Sequence, residues 1–159
     1  MDGETNAFLE EVFLWLSENL PLSPNPKKLC WGDSRIGNVL FEDFQVKSLL
    51  DWEMATIGDP LCDLAWGLTT DDVSSHGLNI EKLPGSIANE EAIKFWEKNT
   101  GYSADNFFYY RILCLFKFSV IMIRVAKKLI HNEIMPLDSD FHVNNHVSNY
   151  LRQEFNEKN

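Results

Sequence analysis

The sequence predicts an α+β fold, mainly α, in which a small antiparallel strand set bearing loops packs on a helical bundle. Two observations predict it. Apolar residues recur at helical spacing near the start of the chain and over most of its second half, while three short β-rich runs at 28–31, 38–41 and 46–50 lie between turn signals. The order helix, small sheet, helices, with no internal repeat and no low-complexity tract, then gives the class. The 159 residues, 45% hydrophobic and 24% charged, fit one soluble globular domain with a core of ordinary size.

Each element has its own local cause. In "TNAFLEEVFLWLSENLP", Phe8, Val12, Trp15 and Leu16 share a helical face, Thr5 or Asn6 can cap, and Pro21 lies just past the end. "PLSPNPKK" is an extended, proline-rich connector that closes a leading segment, 1–27. Residues 28–58 form the strands and loops, with "EDFQ" as a hairpin turn. A helical subdomain, 59–159, follows. It opens with Asp59 as N-cap and Pro60 near the first helical position, and Ser86 and Gly101 bound a second helix. Residues 105–130 are apolar nearly all round, as in a buried central helix, and a last helix near 138–155 takes Asp138 or Ser139 as cap.

Charge and cysteine content exclude several functions. A net charge of -10 argues against nucleic acid, whose phosphates need a basic face. From Asp33 to Asp72 there are nine acidic residues against two basic ones, a bias that favours a cation. Three widely spaced cysteines without a C-x-x-C suggest neither a disulfide framework nor a zinc site, and with no secretory signal the expected location is the cytoplasm. The run "ILCLFKFSVIMI" is interrupted by Lys117 and too short to span a membrane. His142 and His146, at i and i+4, lack the remainder of a metal motif.

The chemistry is concentrated in "LCWGDSRIGNVLF" (29–41) and "SLLDWEMATIGDPLCDLAWGL" (48–68). Phosphoryl transfer without a covalent intermediate requires a carboxylate to orient an attacking hydroxyl and accept its proton. It also requires an amide and a second carboxylate to hold magnesium on nucleotide phosphates. Asp33, Asn38 and Asp51 supply these groups, Gly37 lets the loop turn, and Arg35 can meet phosphoryl charge. Blander readings stand beside this one. Asp33 and Asn38 also suit a turn stabilised by their own side chains, Asp51 and Glu53 suit solvated positions, and Arg35 suits a surface ion pair. The aromatic residues, including Trp52, Trp66 and Trp96, are first of all packing residues.

The paired stretches "WGDSRIGNVLF" and "LLDWEMATIGDPLCDLAW" resemble the aminoglycoside phosphotransferase and choline kinase-like family, whose fold is similar to that of protein kinases. Its catalytic loop has His-Gly-Asp, four residues, then Asn; here Trp31 replaces the His. The resemblance implies that Asp33 is the catalytic base, that Asn38 and Asp51, with Glu53 as a further candidate, bind Mg²⁺ carrying ATP, and that Arg35 stands where protein kinases place a lysine. It further implies that Asp63, with Trp31 nearby, braces the catalytic loop. The branch most similar in these motifs is associated with acyl-CoA dehydrogenases. The expected reaction is transfer of the γ-phosphoryl group of ATP to a hydroxyl of a small molecule such as an aminoglycoside, a choline-like alcohol or a hydroxyacyl thioester.

Acceptor choice is expected to lie in 70–105 and 130–150. The resemblance covers only the C-terminal lobe of the family. The nucleotide-binding N-terminal lobe is expected to be absent, which makes a catalytically incompetent remnant or binding module the alternative. Self-association through the face left open is a further expectation.

Overall fold

The computed structural model describes residues 6–158, with side chains as far as Glu157. Five α-helices and four short strands follow in the order α1 (Ala7–Glu18), β1 (Lys28–Cys30), β2 (Val39–Glu42), β3 (Gln45–Leu49), β4 (Thr56–Gly58), α2 (Leu61–Ser75), α3 (Asn89–Thr100), α4 (Phe107–His131) and α5 (His146–Lys158). This is the mainly helical α+β class expected, with every strand pair antiparallel. Two compact units divide the chain, one formed by Pro21–Arg111 and the other by Met1–Leu20 with Ile112–Asn159, so the boundary falls inside α4.

The unit Pro21–Arg111 contains all four strands. β2 and β3 form a hairpin whose register pairs Val39 with Leu49 and Glu42 with Gln45, with an irregularity between Leu40 and Phe41. Its turn places Asp43 and Phe44 at φ of 50° and 60°, the left-handed pair that a two-residue hairpin turn demands, usually of Asn and Gly. β1 pairs with β4, Leu29 facing Ile57. β4 lies outside the three runs expected from sequence because "TIG" is too short to show alternation, and its partner is 28 residues away along the chain. Helix α2 starts where expected: Asp59 accepts the Leu61 amide at 2.9 Å. Ser86 does not cap α3. That helix begins three residues later without a side-chain cap, its free N–H groups facing the acidic first turn of Glu90 and Glu91, and it ends at Gly101 with φ of 72°.

The other unit packs α1, the distal part of α4, and α5. Asn6 caps α1 through the Leu9 amide, and Leu9, Val12 and Leu16 form its buried stripe. Thr5, the other candidate cap, lies outside the described residues. Phe155 meets Phe8 and Trp15 in near-perpendicular, edge-to-face pairs at centroid distances of 6.0 and 5.8 Å, and the Arg152 guanidinium lies 4.2 Å from the Phe8 ring centroid. Ile112, Leu115 and Ala126 of α4 and Val147 and Leu151 of α5 are fully buried, while Val120 and Val125 mark a more open edge of α4.

The last helix starts eight residues later than the sequence suggests. Between 138 and 145 the side chains of Ser139 and Asp140 bond locally and hold turns, the Phe141 amide donating to Ser139 Oγ at 3.3 Å. Asn145 is the effective cap, its Oδ1 accepting the Ser148 amide at 3.0 Å. Asn145→Ala should therefore cost about 1 to 2 kcal/mol in chemical denaturation, whereas Asp138→Ala should change stability by less than about 0.5 kcal/mol.

Candidate active site

One face of α2 organises the loop that precedes β2. Asp63, Trp66 and Gly67 stand at i, i+3 and i+4, so they project from the same side of the helix. The Asp63 carboxylate accepts the backbone amides of Trp31 at 2.7 Å and Gly32 at 2.8 Å, and its carbonyl accepts Ser34 Oγ–H at 2.6 Å. The Trp66 indole N–H donates to Asp33 Oδ1 at 2.7 Å. A Cβ on Gly67 would come within 2.8 Å of the Ser34 carbonyl oxygen, so glycine is what allows the helix and loop backbones to approach. The loop is thus held at four consecutive residues, 31 to 34.

Gly32 is the bend that makes this possible. Its φ is 89°, and a Cβ there would lie 2.2 Å from the Met54 carbonyl oxygen. Gly32→Ala should destabilise the protein by about 2 kcal/mol or more, from left-handed strain together with backbone collision. Thermal unfolding measures the loss.

Asp33 is half-buried and fully engaged on one side. Its Oδ2 accepts Arg35 Nε–H at 3.0 Å and Asn38 Nδ2–H at 2.7 Å, and Asn38 Nδ2 also donates to the Asp33 carbonyl at 3.1 Å. Burial pushes the Asp33 carboxyl up. The bonds from Trp66, Arg35 and Asn38 and the charge of Arg35 outweigh it, holding the group below the usual carboxylate value, so it is an anion at neutral pH. Arg35 itself is half exposed and its ion pair partner is Asp33.

Asn38 is buried at the end of a 3₁₀ turn, Ile36–Asn38. Both groups facing its Nδ2 are pure acceptors, so the amide must present N–H to them and its Oδ1 points elsewhere. The Leu50 amide donates to the Asn38 carbonyl at 2.8 Å, which extends the β2–β3 ladder and sets Asp51 just beyond it. Asp51 is exposed at φ of 58°, a conformation that swings the chain out of the strand, and Glu53 is exposed in the next turn. Among the described residues no group of three His, Cys, Asp or Glu side chains is close enough to hold a metal. An amide oxygen at 38 and an accessible carboxylate at 51 are hard donors that fit Mg²⁺ sharing its remaining positions with water and phosphate oxygens.

Trp31 and Trp52 flank this region with ring centroids 6.0 Å apart, their indole N–H groups donating to the Leu50 and Leu49 carbonyls. Asp59 plays a structural part: besides capping α2 it accepts the Asn25 amide and the Tyr110 hydroxyl. Burial, then the nearby negative charge of Asp59, raises the Tyr110 phenol out of the accessible range.

Two features escaped the sequence reading. Trp66, by sequence first of all a packing residue, also bonds Asp33, and the spacing D-x-x-W on a helix whose Asp faces the loop is a signal for it. The second is a buried ionic cluster further along α2, where Asp72 accepts Lys82 Nζ, Asn89 Nδ2 and Arg111 Nη1, each at 2.7 Å.

Comparison with known proteins identifies the family and the fold. A family model described as "Phosphotransferase enzyme family" matches residues 2–94, well over half the chain. Acyl-CoA dehydrogenase family member 11 from Gallus gallus is 33% identical over 138 residues, covering 78% of this chain and 18% of that protein. The protein of the same name from Pongo abelii is 32% identical over 124 residues, 71% of this chain and 16% of that one. The chain therefore spans about a sixth of the length of these curated relatives. A crystal structure of a putative aminoglycoside phosphotransferase from Ralstonia eutropha shares the fold with a TM-score of 0.69 at 18% identity, over 96% of this chain and 47% of that one.

Proposed function

We propose, for a chain that belongs to the phosphotransferase enzyme family, that it carries the catalytic half of an ATP-dependent small-molecule kinase. The observation that carries the reading is the Asp33 cluster: an ionised carboxylate held by Trp66, Arg35 and Asn38 on a loop pinned to α2. In this reading Asp33 orients the acceptor hydroxyl and takes its proton. Arg35 keeps its Nε–H on Asp33 and turns the Nη groups of its half-exposed side chain toward the transferred phosphoryl group. Asn38 Oδ1 and Asp51 would hold Mg²⁺, with Glu53 close by in sequence, and the ion would neutralise charge on the ATP phosphates. Acceptors would be small hydroxy compounds such as aminoglycosides, choline-like alcohols or hydroxyacyl thioesters, and the acyl-CoA dehydrogenase names of the relatives favour the last. The test is ADP release from Mg-ATP across these three acceptor classes. It is made with this chain and with the chain joined to the N-terminal lobe of a family member. Turnover with at least one class is expected, and its absence in both forms would refute the reading.

A second reading, a binding module that does not turn over nucleotide by itself, is favoured by one observation. The strands and their flanks leave Leu29, Leu40, Phe41, Phe44, Val46 and Ile57 at least half exposed, Phe44 completely. Apolar side chains left this exposed suit cover by a further lobe or a second copy of the chain. Calorimetry of Mg-ATP against this chain separates the readings, since micromolar affinity would exclude the second. Elution as a clean monomer would exclude self-association.

A further inference from the structure

We propose that Trp66 is a positioning residue for phosphoryl transfer: its indole fixes the Asp33 carboxylate so that Oδ1, and not Oδ2, receives the proton of the acceptor hydroxyl. The inference rests on the kinase reading above and adds to it the choice of oxygen and the residue that makes the choice.

An ionised carboxylate offers about four lone-pair directions, two on each oxygen. On Asp33 Oδ2 both are taken, one by Arg35 Nε–H and one by Asn38 Nδ2–H. On Oδ1 one is taken, by the Trp66 indole N–H at 2.7 Å. The single open direction of the carboxylate is therefore on Oδ1, beside the indole. Trp66 is only 4% exposed, so its N–H is held on that oxygen with little competition from water.

The donor is rigidly placed. Trp66 sits one turn beyond Asp63 on α2, and Asp63 fixes the loop backbone immediately before Asp33 through the amides of Trp31 and Gly32. Backbone and side chain of the loop are thus set by residues three apart on one helix. A planar indole donor has no alternative hydrogen to offer. Arg35 bonds Oδ2 through Nε alone, so its half-exposed guanidinium can offer its Nη groups to phosphate while Nε–H stays on Oδ2. Trp66, Arg35 and Asn38 together keep the carboxylate plane. In the step itself the acceptor O–H bond breaks, its proton passes to Asp33 Oδ1, and the hydroxyl oxygen bonds to the γ-phosphorus. The bond from phosphorus to the β,γ-bridging oxygen breaks and the electron pair leaves with the nucleoside diphosphate.

The experiment uses this chain, labelled for NMR, with Trp66→Phe and Asp33→Asn. Trp66→Phe identifies the Trp66 indole cross-peak among the five tryptophans. That proton is expected well downfield of the carbonyl-bonded indoles of Trp31 and Trp52, and Asp33→Asn is expected to move it upfield. Side-chain three-bond couplings of Asp33 are expected to report one rotamer in the wild type and averaging in Trp66→Phe. An indole peak that ignores Asp33→Asn, or an Asp33 that stays in one rotamer without the indole, would overturn the proposal. With the N-terminal lobe attached, Trp66→Phe is expected to lower kcat about tenfold or more with the KM for ATP and acceptor within about twofold; an unchanged kcat in a form that turns over would also overturn it. Failure of the wild type to turn over any acceptor would refute the kinase reading alone, because the NMR outcomes decide the positioning of Asp33 without turnover.

Discussion

Asp33→Ala should lower kcat for phosphoryl transfer by about 10²- to 10⁴-fold, the range that general-base removal produces. The substitution removes the one carboxylate on which Trp66, Arg35 and Asn38 converge. It leaves the tether between Asp63 and the backbone amides of Trp31 and Gly32 intact. The loop should therefore keep its course, with a melting temperature within a few degrees of the wild type, and the loss should appear in turnover. Steady-state ADP release in the lobe-extended form, beside a melting curve of the same variant, makes the comparison. A rate within twofold of the wild type would show that another group serves as base.

Asp72→Asn should produce the largest loss of stability. Asp72 is 1% exposed and Arg111 8% exposed, so the variant removes the buried carboxylate charge that faces the Arg111 guanidinium and weakens the hold on Lys82. Breaking a buried pair from one side costs about 3 to 5 kcal/mol, here a fall of about 10 °C in melting temperature. The cluster also sets a pH window. Burial pushes the Asp72 carboxyl up, but the bonds from Lys82, Arg111 and Asn89 and the charge of Arg111 prevail and hold it below its ordinary value of 3.8. A depressed carboxylate contributes stability that is present above the unfolded-state value, about pH 4, and is lost as pH falls through the folded-state value. For Lys82, burial lowers the ammonium, but bonds to Asp71 and Asp72 prevail and raise it above 10.5, so its contribution is present below that value and lost as pH rises past the folded-state one. Asp72→Asn should flatten the acid limb, which urea titrations between about pH 2 and 6 would measure.

Much of the site was legible because its parts are short-range in sequence. Asp33, Arg35 and Asn38 lie within six residues and bond to one another, and Asp59, Asn6 and Gly101 terminate helices by local chemistry that spacing alone reveals. What stayed hidden depends on distant partners. Trp66 looks like any buried aromatic residue until the loop 33 residues before it is brought to its edge. Asp72 looks like the second of two solvated acids until Arg111, 39 residues on, meets it. β4 exists only because β1 lies alongside. The late start of α5 is a different kind of miss, a run of Ser, Asp and Asn whose side chains prefer turns to a helix.

The neighbouring indoles of Trp31 and Trp52, tilted 36° to one another, give the loops on either side of them an optical signature. One ring belongs to the segment before Asp33 and the other directly follows Asp51, and two such chromophores 6.0 Å apart couple their transitions. Circular dichroism in the far ultraviolet should carry an exciton couplet that Trp52→Phe abolishes. Any change in the separation or tilt of the two rings becomes visible without a label.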